Sequence, residues 1–302
     1  MPDTPFIDAP PLPGWLEEAL PFTRRVVQLD EYKVHFVDEG AGIPVLMVHG
    51  NPTWSFLWRK VIARLVPGFR CIAPDLVGLG LSDHPRSVKA HSFAMHAEVL
   101  RQFVDALQLE QFIIVGQDWG GPIAATAGVH FPERVVGAVF GNTTILPPHQ
   151  RLRATWFHRF SHFPVVSTLA FRGFNFPVPI LHKVQGDPRS IGKLEQRAYR
   201  YPLRHWRDRA APLALARMVP NGFDHPTVAL LKQCEAWAQD FEGPAALVWG
   251  LRDPILGRSL KRMKQAFPQA RVTETQAGHF LQEEVPDEFA AAVRYVAAQV
   301  AE

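Results

Sequence analysis

The chain has 302 residues, enough for one sizeable core with an inserted lobe, and its apolar and charged fractions (47% and 20%) are those of an ordinary globular protein. A net charge of +3 without a dense Lys/Arg stripe argues against a nucleic-acid-binding surface. Two cysteines, Cys71 and Cys234, cannot build a disulfide framework and lack metal-site spacing, so both read as buried thiols.

Along the chain, short apolar runs alternate with amphipathic stretches, the pattern of a sheet with crossover helices. Strands are predicted over 24–29, 33–38, 44–49, 69–74, 112–116 and 135–141, then over 245–250 and 271–274 after a long gap. Short connections make the early strands antiparallel, and longer ones from residue 44 onward imply parallel pairing. Helices fit 54–65, 92–107, 121–130, 257–266 and 286–301. The fold class is therefore α/β, a mostly parallel eight-stranded sheet flanked by helices. Between 146 and 226 the composition shifts to Arg151, Arg153, Trp156, Phe157, Phe160, Phe163, Phe171, Phe174, Phe176 and several histidines, with no strand signal. That stretch reads as a helical lid domain, 146–226, inserted into a core domain of 1–145 and 227–302. Most of the aromatics are expected to form the lid's own core. No signal-peptide pattern and no membrane-length apolar run is visible, so a cytoplasmic protein without a membrane partner is expected.

The run Phe112 to Gly116 reads as a buried strand and passes straight into Gln117, Asp118, Trp119, Gly120 and Gly121. Gly-x-nucleophile-x-Gly at a strand-to-helix turn is a nucleophile elbow, in which small residues allow a strained turn that lifts one side chain above the sheet. The central residue is aspartate, and no Gly-x-Ser-x-Gly occurs elsewhere. Helix capping would explain an aspartate here, but not glycines on both sides after an apolar strand. A carboxylate nucleophile displaces a leaving group from saturated carbon and forms an ester that water must cleave. Suitable leaving groups are a halide or the strained oxygen of an epoxide.

Nucleophile, acid and histidine follow in that order along chains of this architecture. His279, in Ala277-Gly-His-Phe between a predicted strand and a helix, can lie over the elbow as general base. Asp253, in Arg252-Asp-Pro after the strand 245–250, can orient it and stabilise the imidazolium. The earlier position for such an acid is Asn142, which is no carboxylate. The loop His49-Gly-Asn-Pro follows the third strand, so the backbone N–H groups of Asn51 and Trp119 suit an oxyanion hole. Their side chains are neutral donors that fit a large, weakly hydrated halide and would protonate an alkoxide poorly.

These motifs, with the Asp75-Leu-Val-Gly-Leu-Gly-Leu-Ser-Asp83 loop, resemble the haloalkane dehalogenases of the α/β-hydrolase fold over nearly the whole chain. The resemblance implies Asp118 as nucleophile, His279 as base, Asp253 as acid, and Asn51 and Trp119 as halide ligands. It implies a small apolar halogenated substrate and no metal or organic cofactor. Some relatives add a lid tryptophan to the halide site, for which Trp156 and Trp206 are the candidates. An epoxide hydrolase with the same triad is the alternative, using Tyr199 and Tyr201 of the lid as acids. A non-hydrolytic ligand-binding or oxygenase member of the fold is a third reading. The Arg/Phe-rich lid also offers a surface for self-association.

Overall fold

The computed structural model describes residues 6–148 and 156–300, with side chains from 159 onward in the second stretch. Nine strands form one sheet: β1 (Phe6–Asp8), β2 (Arg24–Gln28), β3 (Lys33–Gly40), β4 (Ile43–Val48), β5 (Phe69–Pro74), β6 (Phe112–Gln117), β7 (Val135–Gly141), β8 (Ala245–Gly250) and β9 (Arg271–Thr275). Their order is β1-β2-β3-β5-β4-β6-β7-β8-β9. The first three strands and the β3–β5 pair are antiparallel, and the remaining pairs are parallel. The eight predicted strands are all present. The ninth, β1, is a three-residue edge strand with every residue exposed, too short and too polar in setting to leave an apolar period.

Strand β6 is buried along its whole length, as expected of a parallel strand covered on both faces. Helices α1 (Gly14–Ala19), α2 (Arg59–Leu65), α3 (Phe93–Ala106) and α4 (Gly120–His130) belong to the first half. Ser92 caps α3 by accepting from the Met95 N–H at 3.1 Å, and Phe93, His96, Ala97, Leu100, Phe103 and Val104 form its buried stripe. Helix α4 is buried from Gly120 through Gly128 and is rich in Gly and Ala, which lets it lie close to β4, β6 and its neighbouring helices.

Between β7 and β8 the described residues contain helices and no strand: α5 (Trp156–Ser161), α6 (Pro164–Thr168), α7 (Lys193–Arg200), α8 (Ala210–Met218) and α9 (Thr227–Asp240), with short 3-10 turns. A π-helical turn, Leu169–Gly173, extends α6. Phe171 is buried against Leu213 and Ala216, with Phe160 and Phe176 packed on it, whereas Phe163 and Phe174 face outward. Arg151, Arg153, Trp156 and Phe157 lie outside the described residues or side chains. Helices α10 (Leu260–Ala266), α11 (Leu281–Glu284) and α12 (Pro286–Val300) complete the chain. Cys71 and Cys234 are buried and unpaired with one another, and burial pushes both thiols up to about 12. Among the described residues no helix is long and apolar enough to cross a membrane.

Candidate active site

The carboxyl ends of β4, β6, β7 and β8 converge, and each supplies one part of the site. Asp118 follows β6 directly and holds φ at +52°, a left-handed conformation uncommon for a residue with a side chain. The turn is held by the Asp118 N–H on the Asn142 carbonyl (3.2 Å) and by the Thr143 hydroxyl on the Asp118 carbonyl (2.6 Å). Gly120 is required for close approach: a Cβ there would stand 1.9 Å from the Val48 carbonyl oxygen. Backbone strain at this point is thus over-determined by its surroundings, which is how a strained turn persists.

The Asn51 backbone N–H donates to Asp118 Oδ1 at 2.7 Å, so one carboxylate oxygen already sits in half of an oxyanion hole. Asp118 Oδ2 faces His279 Nε2 at 3.6 Å, an ion-pair separation too long for a hydrogen bond. His279 Nδ1 meets Asp253 Oδ2 at 2.9 Å, and both residues are buried. Asp253 Oδ1 accepts from the Ile255 N–H at 2.7 Å. Asn142, at the end of β7, donates its amide to Asp253 Oδ2 (2.7 Å) and to the Gly250 carbonyl (3.0 Å), while its Oδ1 accepts from the Gly250 N–H (2.8 Å). The sequence dismissed Asn142 as an acid; in the fold its amide holds the Asp253 carboxylate. Gln117 donates to the His279 carbonyl at 2.9 Å, tying the elbow to the histidine loop.

Electrostatics follow from this packing. Burial pulls the His279 pKa down, but the charges of Asp253 and Asp118 outweigh it and hold the imidazole up to about 10. Burial acts upward on Asp253, yet His279 and the hydrogen bonds from Ile255 and Asn142 leave its carboxyl below the ordinary carboxylate range.

Asn51 and Trp119 both flank Asp118. The Asn51 amide donates one N–H to the Pro212 carbonyl of α8 at 3.0 Å, which orients it and leaves its second N–H for another acceptor. Trp119 is buried against Phe93. Trp206 is 57% exposed with the Arg172 guanidinium over its ring, so it points away from the site. The side chain of Trp156 is not among those described.

The two lid tyrosines have other partners. The Tyr199 hydroxyl donates to Glu283 Oε1 at 2.6 Å, inside a buried cluster with Arg59, and burial raises its pKa well above the phenol range. Tyr201 packs edge-on against Trp15 with Arg204 over its ring. Among the described residues no group of three or more His, Cys, Asp or Glu is arranged to hold a metal ion.

A family model for the alpha/beta hydrolase fold matches residues 43–286. Haloalkane dehalogenase 2 of Mycobacterium tuberculosis is 35% identical over 277 residues, covering 90% of this chain and 94% of that protein. The chain belongs to the haloalkane dehalogenase family of the α/β-hydrolase fold. The solved structure of the haloalkane dehalogenase DbeA from Bradyrhizobium elkani matches with a TM-score of 0.83 at 26% identity, covering 93% of this chain and 99% of that one. A cis-3-alkyl-4-alkyloxetan-2-one decarboxylase of Shewanella oneidensis is 32% identical over 281 residues, covering 90% of this chain and 87% of that protein.

Proposed function

We propose that the chain is a haloalkane dehalogenase that cleaves the carbon–halogen bond of small apolar haloalkanes to a primary alcohol, halide and a proton. Asp118 is the nucleophile, His279 the base and Asp253 the acid. Asn51 and Trp119 bind the halide. Residues 146–226 form the lid over a core of 1–145 and 227–302. The observation that carries this reading is the division of labour at Asp118: Oδ1 sits on the Asn51 N–H and Oδ2 faces the histidine.

In the first step Asp118 Oδ2 attacks the carbon in line, and the carbon–halogen bond breaks with its electron pair. The departing halide is received by the Asn51 amide and the Trp119 indole. In the second step His279 Nε2 removes a proton from water as its oxygen adds to the ester carbonyl carbon. The charge that develops on Oδ1 lies on the Asn51 N–H. Collapse breaks the bond between the carbonyl carbon and Oδ2, the departing alkoxide takes the proton from the His279 imidazolium and leaves as the alcohol, and the regenerated Asp118 carboxyl group releases the remaining proton of the water. Ester formation removes one of the two charges that hold the His279 proton, so the imidazole becomes a stronger donor of its proton and is available as a base when the ester must be cleaved.

The epoxide hydrolase reading needs an acid at the opening oxygen, and the Tyr199 proton is directed to Glu283 instead. The Shewanella relative favours a second reading, decarboxylation of an oxetan-2-one to an alkene and carbon dioxide on the same scaffold. Exposure of His279→Ala to terminal bromoalkanes of two to eight carbons tests the scheme. Mass spectrometry is expected to find the alkyl group on Asp118, and an unmodified protein overturns it. Halide release by the wild type separates dehalogenation from alkene and carbon dioxide production on an oxetanone.

A further inference from the structure

The loop that carries the base is tied to the core by Gln117 and Arg252, and also to the stretch between the 3-10 turns Val178–Val184 and Pro188–Ser190. The His279 N–H donates to the Val184 carbonyl at 2.9 Å. Gln185, itself buried, accepts from the Phe280 N–H with Oε1 at 2.9 Å and donates from Nε2 to the Phe280 carbonyl at 3.1 Å. One side-chain amide thus pairs with both polar groups of a single backbone residue, as a neighbouring strand would. Glu284 closes the clamp from the other side: Oε1 accepts from the Gly278 and Gly186 N–H groups (2.9 and 3.0 Å), and Oε2 from the Asp187 N–H (2.8 Å). The two backbones lie so close that a Cβ on Gly278 would stand 2.3 Å from the Val184 carbonyl oxygen, and one on Gly186 would stand 2.2 Å from that of Gln276.

We propose that Gln185 is a positioning residue for the general base, fixing the backbone on the carboxyl side of His279 so that Nε2 stands over the Asp118 ester. This rests on the two-step reading above. His279 acts chemically only in ester cleavage, whereas alkylation depends on Asp118, Asn51 and Trp119. Loosening the clamp therefore slows the second step and spares the first. Nothing local in the sequence marks Gln185, because its partner lies 95 residues away.

The test uses Gln185→Met, which keeps length and volume without the two bonds to Phe280 or the one that Nε2 donates to Ser190 Oγ at 3.1 Å, and Gln185→Glu, which keeps the acceptor and loses the donor. With a terminal bromoalkane, Gln185→Met is expected to lower kcat at least 10-fold and KM in proportion, leaving kcat/KM within about twofold. Rapid-quench mass spectrometry is expected to show alkyl-Asp118 building up in the steady state. Gln185→Glu falls between it and the wild type. A fall in kcat/KM without ester accumulation in either variant assigns Gln185 to substrate access or general stability and overturns the proposal, as does unchanged turnover. His279→Ala run alongside distinguishes the two failures: no adduct there sinks the ester mechanism itself, whereas an adduct there with none in the Gln185 variants sinks only the clamp.

Discussion

Asp118 and His279 are coupled through charge, and the sign of that coupling can be tested. The folded His279 titrates at about 10, above the roughly 6.5 of a free imidazole, because two carboxylates face it. Its pairing therefore stabilises the fold fully below the unfolded value, and that contribution is lost as pH climbs through about 10. Asp118→Asn keeps the shape of the side chain and removes one of the two charges. It is expected to shift the His279 titration downward, read from the imidazole resonances by NMR; superimposable titrations in the two proteins would contradict the coupling. The same coupling lets the histidine shed its proton more readily once Asp118 is esterified than before, which suits a group that the proposed reaction needs unprotonated only in its second step.

At the scale of elements, the elbow depends on the fit between β6, α4 and the end of β4. Gly120→Ala would drive a Cβ into the Val48 carbonyl, a backbone atom that cannot swing aside. A loss of stability at the upper end of the roughly 1–3 kcal/mol of an overpacked core is expected by urea denaturation, together with loss of activity. A fully stable and active variant would show that the turn relaxes easily. The elbow was legible in the sequence because all its parts are contiguous: apolar strand, glycines and aspartate within ten residues. The parallel strands were legible for a related reason, since burial on both faces writes a continuous apolar run. The exposed β1 left no such mark. Neither did the lid's internal order, where short helices and a π-helical turn carry too few residues for a period to repeat. His279 and Asp253 were found through chain order and their loops. Asn142, Gln117, Gln185 and the Pro212 carbonyl act through partners 95 to 162 residues distant in the chain, and no local pattern announces them.

Across the whole molecule, lid and core are joined by a buried polar cluster as well as by the clamp on the histidine loop. Arg59 of α2 pairs with Glu283 of α11 (2.6 Å) and Glu195 of α7 (3.1 Å), and Tyr199 of α7 donates to the same Glu283. Lys60 adds a second cation to Glu283 at 2.9 Å. A buried pair need not stabilise more than apolar residues of equal volume, but removing one partner strands the other charge. Glu283→Gln is accordingly expected to cost roughly 3–5 kcal/mol in unfolding free energy. Hydrogen exchange is expected to rise first in α7 and α11; an unchanged midpoint would mean the cluster is wetter and weaker than its geometry implies.

The carboxamide of Asn142 shares with the imidazole of His279 a single oxygen of Asp253. Two neighbouring strand ends therefore present side chains to one carboxylate position, and only one of them carries the charge. The geometry thus defines a location for negative charge beside the imidazole that either strand end can reach.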